Sequence, residues 1–470
     1  MIEGLKLYAE SGKLKPVTRT SQINIPWLTQ IPAHWKVVRS KGLFMARTER
    51  ARQDDEQLSA TQAYGVIPQK EFERRVGRKV VQITQHLDKR AHVEPDDFVI
   101  SMRSFQGGLE RAWARGCIRS SYVVLRPSHE AQVGYFAHLF KSQNYIRALQ
   151  ATGNFIRDGQ DLNYSNFSLV DLPLPPTDEQ IAIAKCLDHA NRKIDRFIRV
   201  KRRLIGLLNE QKQAIIHRAV TRGLNPNVAL KSSGIAWLGD IPAHWEVLRA
   251  KYVFREMDER SKTGNEEQLS VSHITGVTPR SQKNITMFKA ESYIGHKICR
   301  PGDLAVNTMW AWMAALGVSN HDGIISPAYA VYRQRKPQHL LHDFADHLLK
   351  IAPYKLNYLS RSTGLRPSRL RLYPDEFFKI QIIIPPKDEQ QKALDSIVVE
   401  TAAINTAITR TEREIALMQE YRTRLTSDIV TGKLDVREAA AGLPELGEEA
   451  GIESDIPVEF EEPEAEETDA

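Results

Sequence analysis

Basic and amide side chains are bunched rather than spread along this chain. Lys70, Arg74, Arg75, Arg78 and Lys79 fall within ten residues, and Arg103, Gln106, Arg111, Arg115 and Arg119 follow. A second group holds Arg280, Lys283, Asn284 and Lys289, and a third holds Arg361, Ser362, Thr363, Arg366, Arg369 and Arg371. Such cations meet phosphates by default, whereas Arg reads guanine and Asn or Gln reads adenine through paired hydrogen bonds. Thr152-Gly153, followed by Arg157, Gln160 and Asn163, and Thr363-Gly364 are the expected groove-entering loops, because glycine permits close backbone approach. A solvated surface charge is the alternative for each cation. For Trp310 and Trp312 packing is the expectation, with base stacking the alternative.

Catalytic patterns are absent. No Gly-x-x-x-x-Gly-Lys-Ser/Thr loop, Gly-x-Gly-x-x-Gly run, His-Glu-x-x-His or Gly-x-Ser-x-Gly occurs. The Asn-Pro-Pro-Phe/Tyr tetrapeptide of adenine methyltransferases is missing, and Asn225-Pro226-Asn227 reads as a turn. Gly432-Lys433-Leu434 reads as a helix end. Pro374-Asp375-Glu376-Phe377-Phe378-Lys379 has the residue types of a nuclease's acidic–lysine cluster but not its spacing. His34 and His244 are expected in the core. Cys117, Cys186 and Cys299 lie too far apart for a metal site, so no catalytic residue and no metal is expected.

These side chains need elements to hold them, and the clearest are two long helices. Between Asp178 and Ala219, Leu187, Ile194, Lys201, Leu208 and Ile215 recur every seven residues, with Ile183, Ala190, Phe197, Leu204 and Gln211 as a second track. Adding 210 gives Ile397, Ile404, Thr411, Met418 and Leu425 between Asp388 and Ile429. Each stripe predicts a helix of roughly 63 Å that buries a narrow seam against the other. Lys201 and Thr411 are polar in the middle of the seam: either they fix register or they interrupt it at the surface.

The 210-residue offset runs through most of the chain. Trp27-Leu28-Thr29-Gln30-Ile31-Pro32-Ala33-His34-Trp35 returns as Trp237-Leu238-Gly239-Asp240-Ile241-Pro242-Ala243-His244-Trp245. Pro175-Pro176-Thr177-Asp178-Glu179-Gln180 returns as Pro385-Pro386-Lys387-Asp388-Glu389-Gln390. Leu14-Lys15-Pro16 matches Leu224-Asn225-Pro226, and Gly12-Lys13-Leu14 matches Gly432-Lys433-Leu434 at twice the period. Duplication with closure predicts a circular layout of approximate two-fold symmetry. Its parts are an N-terminal segment (1–21), a globular part (22–175), a helix (176–222) and a linker (223–233), then a second globular part (234–385) and a second helix (386–434). The globular parts read as mixed α/β with short strands, and Val133–Leu149 and Leu340–Ile351 as helical.

Charge points to the partner. The net +7 understates the body, because residues 443–470 hold ten Glu, two Asp and no Lys or Arg, leaving +19 on residues 1–442. That excess suggests a polyanion, nucleic acid first, with a generally basic surface as the alternative. The tail is expected to be disordered. With no 18-residue apolar run and no signal pattern at Met1-Ile2-Glu3-Gly4, a soluble cytoplasmic protein without membrane contact is expected.

Assembled in this order, the Trp-x-x-x-Ile-Pro-x-x-Trp segments, the Thr-Gly pairs and the Pro-Pro-x-Asp-Glu-Gln helices resemble the specificity subunit of type I restriction–modification enzymes. The resemblance covers about Leu14 to Leu434, and the acidic tail lies outside it. It implies two tandem target-recognition domains separated by two long helices packed as an antiparallel coiled coil. It also implies an asymmetric bipartite site in double-stranded DNA, one half per domain. Two methyltransferase subunits carrying S-adenosylmethionine, and restriction/translocase subunits using ATP and Mg, are the implied partners in a prokaryotic cytoplasm. No cofactor is implied for this chain itself. A coiled-coil adaptor with protein-binding domains is the alternative.

Overall fold

The computed structural model describes residues 14–17, 19–25, 27–77, 79–80, 89–153, 163–235, 237–282, 292–364 and 370–444. A proline pair ends a strand at Asp171–Leu174 and again at Gln381–Ile384, and each is followed at once by a long helix. These helices run over Thr177–Arg222 (46 residues) and Lys387–Val430 (44 residues). The glutamine of each motif explains the proline pair. Gln180 Nε2 donates to Pro175 O at 2.9 Å while its Oε1 accepts from Gln132 N at 2.9 Å. Gln390 does the same with Pro385 O and Leu341 N, at 2.9 and 2.8 Å. Proline leaves a carbonyl with no strand neighbour to serve it, and a buried amide satisfies it.

Contacts divide the chain into two units, Met1–Arg202 with Arg413–Ala470 and Arg203–Glu412. The first therefore holds 177–202 and 413–430 of the long helices, and the second holds 203–222 and 387–412. In the first unit a four-stranded antiparallel sheet has the order Glu110–Arg111, Phe98–Ile100, Val123–Pro127, Phe44–Ala46. Phe44, on the edge strand, is fully buried, with the rings of Phe98 and Phe136 at 5.7 and 5.0 Å. Ile183, Leu187, Ala190, Leu425 and Ile429 complete this core from the helices. The second unit repeats the scheme with Phe254–Met257, Ala330–Gln334, Leu304–Val306 and Leu316–Val318, closed by Ile216, Val220, Ala393 and Ile397. This is a mixed α/β fold.

Within each unit the helix halves pack antiparallel. Asp195 pairs with Arg422 and Lys201 with Glu414 in the first unit. In the second, Lys212 Nζ donates to Asn405 Oδ1 at 2.8 Å and Arg218 pairs with Glu400 at 2.9 Å. Leu187, Ile194, Ile397, Ile404, Thr411, Met418 and Leu425 are buried, while Leu208 and Ile215 are half-buried. Thr411 Oγ1 donates to Ala407 O at 2.7 Å, so its hydroxyl is buried at little cost. Lys201 is half-buried, and its Nζ lies 2.7 Å from Glu414. The second track departs from expectation: Leu204 and Gln211 are exposed, and Ile198, Ile205, Lys212 and Ala219 turn inward instead. A straight helix of 3.6 residues per turn drifts by about 20° per heptad against a 3.5 repeat, enough to move the track one residue along.

Other expectations need correction. Val133–Leu149 is two helices, Val133–Phe140 and Gln143–Gln150, because Ser142 breaks the run and its side chain caps the second. The linker read at 223–233 ends in a strand, Leu230–Ser232, paired with Asp240–Pro242. Asn225 keeps its turn, its Oδ1 accepting from Asn227 N at 3.0 Å. His34 and His244 are not core residues. Each side chain is 44% exposed and meets a glutamate of the first helical turn, His34 with Glu179 at 2.7 Å and His244 with Glu389 at 2.6 Å. A carboxylate is favoured beside the free N–H groups of a helix start, and the imidazole finds its partner there. Leu443 packs on the first core and Pro444 O accepts from His189, so these two residues of the tail are ordered against the body. Residues 445–470 lie outside the described residues.

The join between chain ends is present in the first unit. Lys15–Pro16 pairs antiparallel with Leu434–Asp435, and Lys15 Nζ lies 2.8 Å from Glu438. Gly432, at φ +72°, stops the second helix with Lys433 N donating to Asp428 O at 2.9 Å.

Candidate nucleic-acid interface

In the first unit the hairpin Leu58–Thr61/Gly65–Pro68 turns at Gln62-Ala63-Tyr64. Gly65 sits at φ +72°, and a Cβ there would stand 2.6 Å from Arg111 O, so only glycine lets the hairpin lie against the neighbouring strand. After the central strand Phe98–Ile100 comes the short helix Ser104–Gly107, flanked by Arg103 and carrying Gln106, both exposed. Gln62 Nε2 donates to Arg103 O at 3.3 Å, and Gln150 Nε2 donates to Phe105 O at 2.6 Å. The hairpin turn, the Arg103–Gln106 loop and Thr152-Gly153 are thus brought to one edge. Thr152 O accepts from Asn166 Nδ2 at 2.9 Å, and Asn163 caps the helix Tyr164–Ser168.

The remaining cations of this unit are placed unevenly. Lys70 and Arg74 are exposed on the helix Gln69–Val76, and Lys79 is exposed just beyond it. Lys70 Nζ is 3.8 Å from Glu56, while Arg75 pairs with Glu71 and covers the Tyr64 ring at 5.0 Å. Arg111 is committed within the fold: its Nε and Nη2 donate to Asp96 Oδ1 at 2.9 and 2.6 Å. Its guanidinium lies 4.2 Å from the Trp113 ring. Trp113, 52% exposed, is a surface aromatic that sequence reasoning missed; its signal is the Arg-x-Trp spacing on an edge strand. Behind it Glu110 is buried, and burial pushes its carboxyl up to about 6 despite Lys141 at 2.6 Å.

The second unit has a corresponding hairpin and loops made of other residues. Its hairpin Leu269–Ser272/Gly276–Pro279 turns at His273-Ile274-Thr275. After the strand Leu304–Val306 the chain makes a tight turn in which the Trp310 and Trp312 rings stack at 5.8 Å and 26°. Both tryptophans are half-buried, packed on each other. Thr363 and Arg371 exchange backbone hydrogen bonds of 3.1 and 3.0 Å, and Leu372 N donates to Thr308 O at 2.9 Å. The Thr363-Gly364 segment is therefore pinned beside the tryptophan turn. Arg361 is held by Asn357 Oδ1 at 2.8 Å and Glu376 at 3.3 Å, and Arg280 by Gln268 Oε1 at 2.9 Å. Glu376 also meets Lys379, so the 374–379 acidic cluster is a surface ion-pair network. Arg78, Arg157, Gln160, Lys283, Asn284, Lys289, Arg366 and Arg369 lie outside the described residues.

Burial pushes the thiols of Cys186 and Cys299 up to about 11 and about 12, so both stay protonated at neutral pH. Among the described residues no group of His, Cys, Asp and Glu could hold a metal ion, and no helix is long and apolar enough to cross a membrane.

No family model matches the chain. It is 25% identical over 227 residues to the type I restriction enzyme MjaVIII specificity subunit of Methanocaldococcus jannaschii, covering 48% of this chain and 50% of that one. It is 21% identical over 338 residues to the putative type I restriction enzyme MjaX specificity subunit of the same organism, covering 67% and 71%. The chain thus spans about half the length of the first of these relatives. A solved structure described under complex assembly and conformational transition of the type I R-M system shares the fold. It covers 86% of this chain and 99% of its own, with a TM-score of 0.57 and 14% identity. In its duplicated motifs, its mixed α/β fold and these matches, the chain is similar to type I restriction enzyme specificity subunits.

Proposed function

We propose that this chain is the non-catalytic DNA-recognition subunit of a type I restriction–modification complex. Each unit reads one half of an asymmetric bipartite duplex site, and the length of the two long helices sets the gap between halves. Half-sites on one face of B-DNA lie about 34–36 Å apart, well within helices of roughly 66–69 Å. The same helices dock two methyltransferase subunits, which bring S-adenosylmethionine, and restriction/translocase subunits bring ATP and Mg. The complex acts in the prokaryotic cytoplasm.

One observation carries this reading. The first unit gathers a hairpin turn, a post-strand loop and a Thr-Gly segment at one edge, and the second a post-strand turn and a Thr-Gly segment, on a body of net +19. The frame is duplicated while the residues at that edge differ, as two readers of two different sequences require. A gel-shift panel at fixed salt, with methyltransferase subunits added, tests it. A preference for one bipartite duplex over random DNA is expected. Equal, salt-insensitive binding to all duplexes would instead indicate a protein-binding adaptor.

A further inference from the structure

Ile274 is 81% exposed at the tip of the second unit's hairpin. Single exposed apolar side chains are ordinary, but this one is held rigidly outward. Four backbone pairs, from Leu269↔Pro279 to Ser272↔Gly276, hold the hairpin, and Thr275 N donates to Ser272 Oγ at 3.1 Å across the turn. His273 and Thr275 are exposed on either side. The strands behind them are anchored by Leu269, Val271 and Val277 in a buried cluster. Lys350 Nζ, paired with Asp346 at 2.7 Å, stands 2.9 Å from where a Cβ on Gly276 would be, so the finger's base is closely packed.

The first unit's turn is built the other way. Ala63 takes the tip position, the Gln62 amide is tied to Arg103 O, and Tyr64 is buried beneath Arg75. That turn is tucked in, and it offers no apolar group long enough to reach a base edge.

Resting on the DNA-recognition reading above, we infer that Ile274 is a specificity-determining residue that contacts a thymine C5-methyl in the half-site read by the second unit. Thymine alone presents a methyl group in the major groove, and an aliphatic side chain is its natural complement.

The test uses the full chain with its methyltransferase subunits and a duplex selected from a random pool. Each thymine is replaced in turn by deoxyuridine, which lacks only the methyl. One position in one half-site is expected to lose about fourfold in affinity, the value of one buried methyl-sized group. Ile274→Ala is expected to abolish that sensitivity and leave every other position unchanged. Because Ile274 is exposed, the variant keeps the wild-type thermal midpoint. Unchanged deoxyuridine sensitivity in Ile274→Ala would overturn the inference, as would a uniform loss at all positions, which would mark a wedge between base pairs. If no bipartite duplex is selected at all, the DNA-recognition reading itself fails.

Discussion

The two units share a frame and differ at one edge. Phe44 and Phe254 occupy corresponding core positions, and His34–Glu179 and His244–Glu389 make the same contact at the helix starts. The differences lie at the hairpin-and-loop edge and just behind it. Arg103 to Gln106 stands where the second unit has Trp310 to Met313, and Ala63 where it has Ile274. Glu110 and His92 stand where it has Gly317 and Ile298. Cores tolerate little change because they are close-packed, while loops on a rigid frame vary freely. Each unit can therefore diverge at this edge without disturbing its own core.

Several substitutions break or sharpen this comparison. The largest effect is expected where the units agree. Phe44→Ala and Phe254→Ala should each cost about 3–5 kcal/mol in urea unfolding. A cost under about 1 kcal/mol in either would show that the cores are not equivalent.

Next comes a feature of the first unit alone. His92 is fully buried, with Nδ1 2.7 Å from Asp55 and Nε2 2.8 Å from Glu94. His92→Ile, which copies the second unit's residue, leaves Asp55 buried without this partner and should cost about 3 kcal/mol. An unchanged urea midpoint would contradict a structural role for these contacts.

Glu110 gives a pH signature. Its folded carboxyl is raised to about 6 by burial, so the unfavourable ionised form is fully present above pH 6 and absent below the ordinary 4.5. Stability from this group is therefore lost as pH rises through 6, by about 2 kcal/mol at 1.36 kcal/mol per unit. Glu110→Gln should flatten that slope between pH 4.5 and 7 in urea titrations; an identical slope would refute the assignment.

The smallest effect concerns the seam. Lys201→Leu should lower stability by about 1 kcal/mol, because it strands the largely buried Glu414. Lys201→Leu with Glu414→Leu should recover or exceed the wild-type midpoint in thermal melts. A single variant more stable than wild type would show that Glu414 does not depend on Lys201.

Much of the frame was legible in the chain. The two helices begin and end within a few residues of the expected positions, because proline pairs, first-turn acids and Gly432 are local signals. The Thr-Gly segments were legible as loops for the same reason. What was hidden depends on partners far along the chain. Nothing near Arg111 announces that Asp96 will occupy its guanidinium, and Glu179 lies 145 residues from His34. Exposure of Trp113 and Ile274 follows from how a hairpin lies on its neighbour, which no spacing rule conveys. The slip of the second helical track is a matter of accumulated twist, invisible to a seven-residue count.

The most direct measurement is methylome sequencing of cells carrying this chain with its methyltransferase subunits, compared with cells lacking only this chain. Methylated adenine in one asymmetric bipartite motif with a fixed gap, lost with the chain, is the predicted result. Substitutions at Arg103 and Gln106 should alter one half of the motif and Ile274→Ala the other. Methylation that persists without this chain, or that shows no two-part motif, would contradict the account.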